Sequence, residues 1–230
     1  MPSFLEPAGQ ALRVDVVSDV VCPWCYVGKR QLEAALHRWV AAHPGLPEPL
    51  VRWHPFQLNP DLPEAGIDRA DYLRTKFGAA DPSAIYQRVS AAAREVGLEP
   101  DFDHIARQPN TLRGHALIGA AQGDLQQAVV EALFRAYFVE GADLTSRETL
   151  AGVAREAGLR EDAIRHALDS REAADAAAHA DSEARRMGVS GVPFFVIDGR
   201  VGVSGAQGAD ALLGAFEQSR GDVESRVEPA

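Results

Sequence analysis

An α/β fold interrupted by a large all-helical insert is the class this sequence predicts, and three patterns predict it. A β-branched run at residues 12–18 (LRVDVVS) passes almost directly into a helical period that begins at Pro23. A second apolar run at residues 50–56 (LVRWHPF) follows that helix, after which residues 68–187 carry helical spacing throughout. Finally, residues 193–198 (PFFVID) and 201–204 (VGVS) flank an Asp-Gly-Arg turn, the pattern of a hairpin.

The first strand is expected where Val14, Val16 and Val17 make a pleated, apolar edge. In the helix behind it, Trp24, Val27, Leu32, Ala35, Leu36 and Trp39 recur at one or two helical turns until His43-Pro44-Gly45 stops them. The second strand leaves its sheet at Pro55, Pro60 and Pro63. Inside the helical block, Asp81-Pro82 reads as a cap with proline at the first helical position, and Gly97 as that helix's end. Thr145-Ser-Arg-Glu148 has capping-box spacing. The rows Leu125, Val129, Leu133, Tyr137 and Val130, Phe134, Phe138 give one helix a wide apolar face, so it is expected at the centre of the insert. Residues 171–187 are alanine-rich, suited to a helix close over a sheet, and Gly188 closes it. A last helix is expected over 209–218, with 219–230 a flexible tail.

A chain of 230 residues with 46% hydrophobic composition can bury a core in one domain with an insert. Its net charge of −10 and lack of a lysine-rich run argue against nucleic acid or an anionic membrane surface as partner. The first ten residues show no basic start followed by an apolar stretch, and no segment is long and apolar enough for a membrane helix, so a cytoplasmic protein is expected.

The two cysteines, Cys22 and Cys25, stand three positions apart in DVVCPWC, at the strand-to-helix junction. Free N–H groups at a helix start favour a thiolate over a thiol, which suits Cys22 as attacking sulfur. Cys25 lies one turn on, within reach to resolve a mixed disulfide, and Pro23 supplies a preset φ where its missing N–H costs nothing. Trp24 is expected to form an exposed apolar rim for substrate. Two other readings stand beside this one. Cys22 and Cys25 with His37 and His43 approach the spacing of a zinc finger, although both cysteines already belong to the helical pattern. The pair could also be two small core residues, which leaves Pro23 without a role.

DVVCPWC together with Ser190-Gly-Val-Pro-Phe194 resembles the DsbA-like branch of the thioredoxin superfamily, within it the FrnE-like proteins related to 2-hydroxychromene-2-carboxylate isomerases and kappa-class glutathione transferases. The resemblance extends over nearly the whole chain through WHPFQLNP at 53–60, NTLRGH at 110–115, ALFRAYF at 132–138 and VSGAQ at 203–207. It implies a thioredoxin fold with a helical insert, divided as 1–66 and 171–218 for the thioredoxin-like part and 67–170 for the insert. It also implies a cis bond before Pro193, facing the dithiol, with the Val192 backbone pairing with a bound peptide or glutathione. The isomerases and transferases usually carry serine where this chain has Cys22, and at the segment that holds the glutathione γ-glutamyl end this chain has Gly205-Ala206-Gln207 in place of their serine and aspartate. Asn59 matches an asparagine that those relatives place near the thiol.

A thiol-disulfide oxidoreductase or disulfide isomerase is therefore expected, with Cys22 and Cys25 catalytic and with Pro23, Trp24, Asn59, His115, Val192 and Pro193 around the substrate. Protein or small-molecule disulfides are the expected substrates. No metal or prosthetic group is expected, and glutathione or another small thiol stays open as co-substrate. The alternatives are a glutathione-dependent isomerase or transferase and a zinc-stabilised binding module. A monomer and a homodimer are equally open. Asn110 is expected as helix cap or substrate contact, His115 as core histidine or cleft group, and Lys29 as a solvated helix residue.

Overall fold

The computed structural model describes residues 11–78 and 83–224. The chain opens with β1 (Arg13–Ser18), α1 (Pro23–Ala42) and β2 (Leu50–Pro55), a strand-helix-strand unit whose two strands pair in parallel. A mostly helical stretch follows: β3 (Ile67–Asp68), α2 (Arg69–Phe77), α3 (Ser83–Glu95), β4 (Arg107–Gln108), α4 (Leu112–Gly119), α5 (Gly123–Phe138), α6 (Arg147–Glu156), α7 (Glu161–Asp169) and α8 (Arg171–Arg186). The chain ends with β5 (Phe194–Ile197), β6 (Val201–Ser204) and α9 (Ala209–Glu224).

The main sheet has the order β2-β1-β5-β6, with β5 antiparallel to both its neighbours. Its hairpin turns through Asp198 and Gly199, at φ of 50° and 69°, and closes with the Arg200 N–H donating to the Ile197 carbonyl at 2.9 Å. Positive φ at both central positions is what an Asp-Gly pair permits, and the twist of such a turn matches that of the strands. Helices α1 and α9 meet through an edge-on contact of Trp39 with Phe216, whose ring centroids are 5.8 Å apart. On the other side α8 lies against β2, where its alanines permit a close approach. One continuous buried cluster joins Val14 and Val16 of β1, Tyr26 of α1, Phe134 and Phe138 of α5 and Phe195 of β5. The fold is thus an α/β thioredoxin-like fold with a helical insert.

Several local expectations are corrected. The helical block is interrupted by the two-stranded ribbon of β3 with β4, whose strands are too short to show a period of two in sequence. The cap of α6 is Ser146, which accepts from the Thr149 N–H at 3.2 Å, while the Thr145 hydroxyl donates to Asp143. Helix α9 continues past Gln218 to Glu224 because Ser219 is buried and its hydroxyl donates to Asp198 Oδ2 at 2.5 Å. The expected cap at Asp81-Pro82 and residues 225–230 of the expected tail lie outside the described residues.

Candidate active site

Register alone brings three loops to one end of the sheet. Val17 faces His54 in the parallel pair and Phe194 in the antiparallel pair. The exit of β1, the exit of β2 and the entry of β5 are therefore neighbours. Those are the segments that carry Cys22, Asn59 and Val192-Pro193.

Cys22 is the N-cap residue of α1, with extended backbone at φ −94° and ψ 111°, and Pro23 takes the first helical position. Its carbonyl accepts from the Cys25 N–H at 3.0 Å and the Tyr26 N–H at 3.4 Å, so the first turn closes around the pair. Its sulfur lies 3.6 Å from the Val192 carbonyl oxygen. The Val192–Pro193 bond is cis, Pro193 is buried, and its carbonyl accepts from the Gly205 N–H at 2.8 Å. No disulfide joins Cys22 to Cys25 in this structure. Cys22 is 5% exposed and Cys25 1%, and the Val192 carbonyl lies over the Cys22 sulfur. Burial pushes the Cys25 thiol well above its ordinary value, and the neighbouring Cys22 sulfur adds to this. Hydrogen bonds from the Ser18 side chain and the Asp19 backbone act in the opposite direction.

The surrounding residues divide. Trp24 is half-buried against the core and does not stand out as a free rim, because the helix start lays its ring on apolar neighbours. Asn59 is half-buried, with Nδ2 donating to the Tyr72 hydroxyl at 3.4 Å. Asn110 spends its amide on the protein: Oδ1 accepts from the Leu112 N–H and Gln57 Nε2, both at 3.0 Å, and Nδ2 donates to the Leu62 carbonyl at 2.8 Å. His115 is 4% exposed, and its Nε2 lies 3.4 Å from Asp19 Oδ1. It is buried, as a core histidine is, and it lines a cavity beyond α4 whose walls include neither cysteine, nor Val192, nor Pro193.

Lys29 is the clearest correction among the charged residues. It is buried on α1, paired with Glu33 and, at 2.7 Å, with Glu131 of α5. Arg30 also pairs with Glu131, and Tyr26 donates to it at 2.8 Å. Periodicity placed Lys29 on α1 but could not show that α5 covers it there. Asp19 is the residue that sequence reasoning passed over. It is wholly buried, and its Oδ2 accepts from the Leu58 N–H at 2.7 Å. The available signal was an acidic residue set between Ser18 and Val20-Val21 at a strand exit.

The zinc-finger spacing is not assembled. His43 stacks on Trp39 at the far end of α1, a 20-residue helix that spans about 30 Å. Among the described residues no group of three or more His, Cys, Asp or Glu side chains is placed to hold a metal ion. No described helix is long and apolar enough to cross a membrane.

Residues 13–217 match the DSBA-like thioredoxin domain family. The uncharacterized protein YwbO of Bacillus subtilis (strain 168) is 28% identical over 217 residues, covering 91% of this chain and 98% of that protein. The crystal structure of the probable DsbA oxidoreductase SCO1869 from Streptomyces coelicolor is similar with a TM-score of 0.77 and 30% identity, over 95% of this chain and 92% of that one. The cytosolic disulfide reductase DsbM from Pseudomonas aeruginosa, solved with GSH, has the same fold, with a TM-score of 0.59 and 20% identity over 94% and 98% of the two chains. A match over nearly the full length, joined to a cysteine pair at a helix start facing a cis-proline loop, establishes that this chain belongs to the DSBA-like thioredoxin domain family.

Proposed function

We propose that the protein is a thiol-disulfide oxidoreductase or disulfide isomerase that works through the Cys22–Cys25 dithiol. The observation that carries this reading is the placement of the Cys22 sulfur at a helix start, 3.6 Å from the Val192 carbonyl, with Cys25 buried one turn behind. The Cys22 thiolate attacks one sulfur of a substrate disulfide. The substrate S–S bond breaks, its other sulfur leaves as a thiolate, and a mixed disulfide remains on Cys22. Cys25, once deprotonated, attacks the Cys22 sulfur, so the Cys22–Cys25 bond forms and the second substrate thiolate leaves. The two electrons pass from the dithiol to the substrate, and the reverse sequence oxidises a dithiol. Val192 presents its backbone to an extended substrate, with Pro193, Trp24 and Asn59 as the walls around it. Protein or small-molecule disulfides are the substrates in this reading, no prosthetic group is needed, and the cytosol is the compartment, as it is for the cytosolic disulfide reductase DsbM.

The test is trapping. In Cys25→Ser the first attack proceeds and resolution cannot, so mixed disulfides accumulate on a non-reducing gel, whereas Cys22→Ser accumulates none. Equal yields from the two variants would sink the assignment of roles.

A glutathione-dependent isomerase or transferase is the second reading. It is favoured by one contact: the Gly205 N–H is bonded to the Pro193 carbonyl, which puts the segment 205–207 beside the cis-proline loop. Gln207 there donates to the Ser204 carbonyl at 3.1 Å. If reduced glutathione binds and Cys25→Ser keeps full isomerase or transferase turnover, this reading replaces the first.

A further inference from the structure

Tyr72 of α2 is a buried tyrosine surrounded by hydrogen-bond donors. It is 9% exposed, and its hydroxyl oxygen accepts from Lys76 Nζ at 2.6 Å and from Asn59 Nδ2 at 3.4 Å. A hydroxyl can both donate and accept, but the O–H proton of Tyr72 has no acceptor among the described residues. The Arg69 guanidinium lies over the same ring, 5.3 Å from its centroid, and its Nε is buried without a partner among the described residues. Its other nitrogens donate to neutral groups, Gln108 and, at 2.9 Å, the Tyr86 hydroxyl. Neither Arg69 nor Lys76 forms an ion pair among the described residues. The acids of this helix are occupied: Asp68 caps it by accepting from the Ala70 and Asp71 N–H groups at 2.8 and 3.1 Å, and Asp71 pairs with Arg74.

Backbone contacts set this cluster beside the dithiol. The Cys22 N–H donates to the Asp19 carbonyl at 3.0 Å, and Asp19 Oδ2 accepts the Leu58 N–H at 2.7 Å. Residues 58–59 therefore run along the turn that enters Cys22, and Asn59 carries the polar contacts on to Tyr72 and Lys76. Three donors meet there without an acceptor: the Tyr72 O–H, the remaining hydrogens of the Lys76 ammonium and the second N–H of Asn59. A carboxylate is the group that satisfies all three, since its two oxygens only accept and its charge strengthens each bond. The charge balance agrees. A chain of net charge −10 repels an acid at a distance, so an acidic substrate needs a local cationic patch to approach the thiolate.

We propose that Asn59, Tyr72 and Lys76, with the charge of Arg69 beside them, form a carboxylate-binding subsite, and that the preferred substrates are disulfides carrying an acidic group close to the sulfur. The proposal rests on the dithiol reading above and names its substrate class. Lys76, four residues after Tyr72 and therefore on the same face of α2, supplies the charge, and the Tyr72 hydroxyl supplies the directed hydrogen bond. The subsite holds the acid and takes no electron or proton. Chemistry stays at the sulfurs: the Cys22 thiolate attacks, the substrate S–S bond breaks, and the other half leaves as a thiolate with the bonding pair. These residues are specificity determinants, so their removal is felt in the choice between acidic and neutral disulfides.

Two aromatic disulfides test that choice. 5,5′-Dithiobis(2-nitrobenzoate) carries a carboxylate on each ring, 4,4′-dithiodipyridine is neutral at pH 7, and each gives an absorbing product on attack. The readout is the ratio of their second-order rate constants with the reduced protein, acidic over neutral. In Lys76→Met, and in Tyr72→Phe, which keeps the buried ring, this ratio is expected to fall about tenfold, the scale of a hydrogen bond to a charged group. In the unmodified protein the ratio also falls as sodium chloride is added, and in Lys76→Met that dependence flattens because the screened charge is gone. Lys76 is exposed, so its variant serves alone if Tyr72→Phe fails to fold. A ratio within twofold of the unmodified protein in Lys76→Met or in folded Tyr72→Phe would overturn the proposal. So would an unchanged salt dependence in Lys76→Met, or equal slowing with both disulfides, which is the mark of a merely structural role. Attack by Cys22→Ser at the unmodified rate would overturn the dithiol reading itself, and this proposal with it.

Discussion

The chemistry of the Cys25 sulfur follows from its burial more than from its neighbours, and this can be read on a single thiol. In Cys22→Ser the contribution of the Cys22 sulfur is gone while the dominant cause, exclusion of water, remains. Iodoacetamide is therefore expected to react with this variant far more slowly than with a free thiol at pH 8, with the rate rising only under alkaline conditions. A profile like that of free cysteine would show that the site opens readily in solution. The Val192-Pro193 loop rests on Gly28, where an added Cβ would stand 3.0 Å from Pro193 Cγ and 3.2 Å from Phe195 Cζ. Pro193 cannot retreat easily, since its carbonyl is bonded to Gly205. Gly28→Ala gains about 1 kcal/mol in helix propensity and loses about 1–3 kcal/mol to overpacking. A slightly lowered melt with a clear loss of disulfide exchange is expected, and unchanged exchange would show that the loop position is immaterial. At this scale Cys22, Cys25, Val192 and Pro193 were legible in sequence because they sit in short motifs. Asp19 and Lys29 were not, because their meaning lies in His115 and Glu131, residues 96 and 102 positions away.

Among the elements, the seam between α1 and α5 carries the concentration of charge closest to the dithiol helix. Burial acts to raise the Glu131 carboxyl, but Lys29, Tyr26 and Arg30 together hold it below its ordinary value of 4.5. A carboxylate lowered on folding adds stability that is complete above its unfolded value and disappears as pH falls through the folded one. Glu131 thus contributes fully above about pH 5 and progressively less below 4.5. Glu131→Gln is expected to cost about 2 kcal/mol at neutral pH, less than a wholly buried pair because Glu131 is partly exposed and Lys29 keeps Glu33. Chemical denaturation at pH 7 and pH 4 checks it: the gap between variant and unmodified protein should shrink at the lower pH. A constant gap would mean that packing, and not charge, is what the substitution removes. The order of the elements was legible, since long helices and β-branched strands repeat their periods. The ribbon of β3 with β4 was not, because two residues are too few to show alternation. The end of α9 was missed for another reason: the contact between Ser219 and Asp198 that holds it is tertiary.

For the molecule as a whole, the question is whether the helical stretch and the sheet unfold together or apart. The placement of the insert between β2 and β5 was readable from the order of periods, but the depth of its contact with the sheet was not, because stacking partners are remote in sequence. Tyr26 of α1 stacks on Phe134 of α5 with ring centroids 5.0 Å apart. Trp53 of β2 gives its backbone N–H to Gln126 at 2.9 Å and its indole N–H to Gln127 at 2.8 Å, both on α5. Helix α5 is thus bonded to the strand behind the dithiol and stacked on the helix that carries it. Phe134 is wholly buried at the centre of that junction, in the one cluster that also holds Val16 and Phe195. A single cooperative transition is therefore expected, with near-ultraviolet circular dichroism, far-ultraviolet circular dichroism and disulfide-exchange activity lost at the same denaturant concentration. Phe134→Ala should lower all three midpoints together, by about 3–5 kcal/mol in stability, although it touches neither cysteine. Activity vanishing at a denaturant concentration where far-ultraviolet ellipticity persists would mean that the dithiol region melts separately, and that α5 does not tie the two parts into one unit.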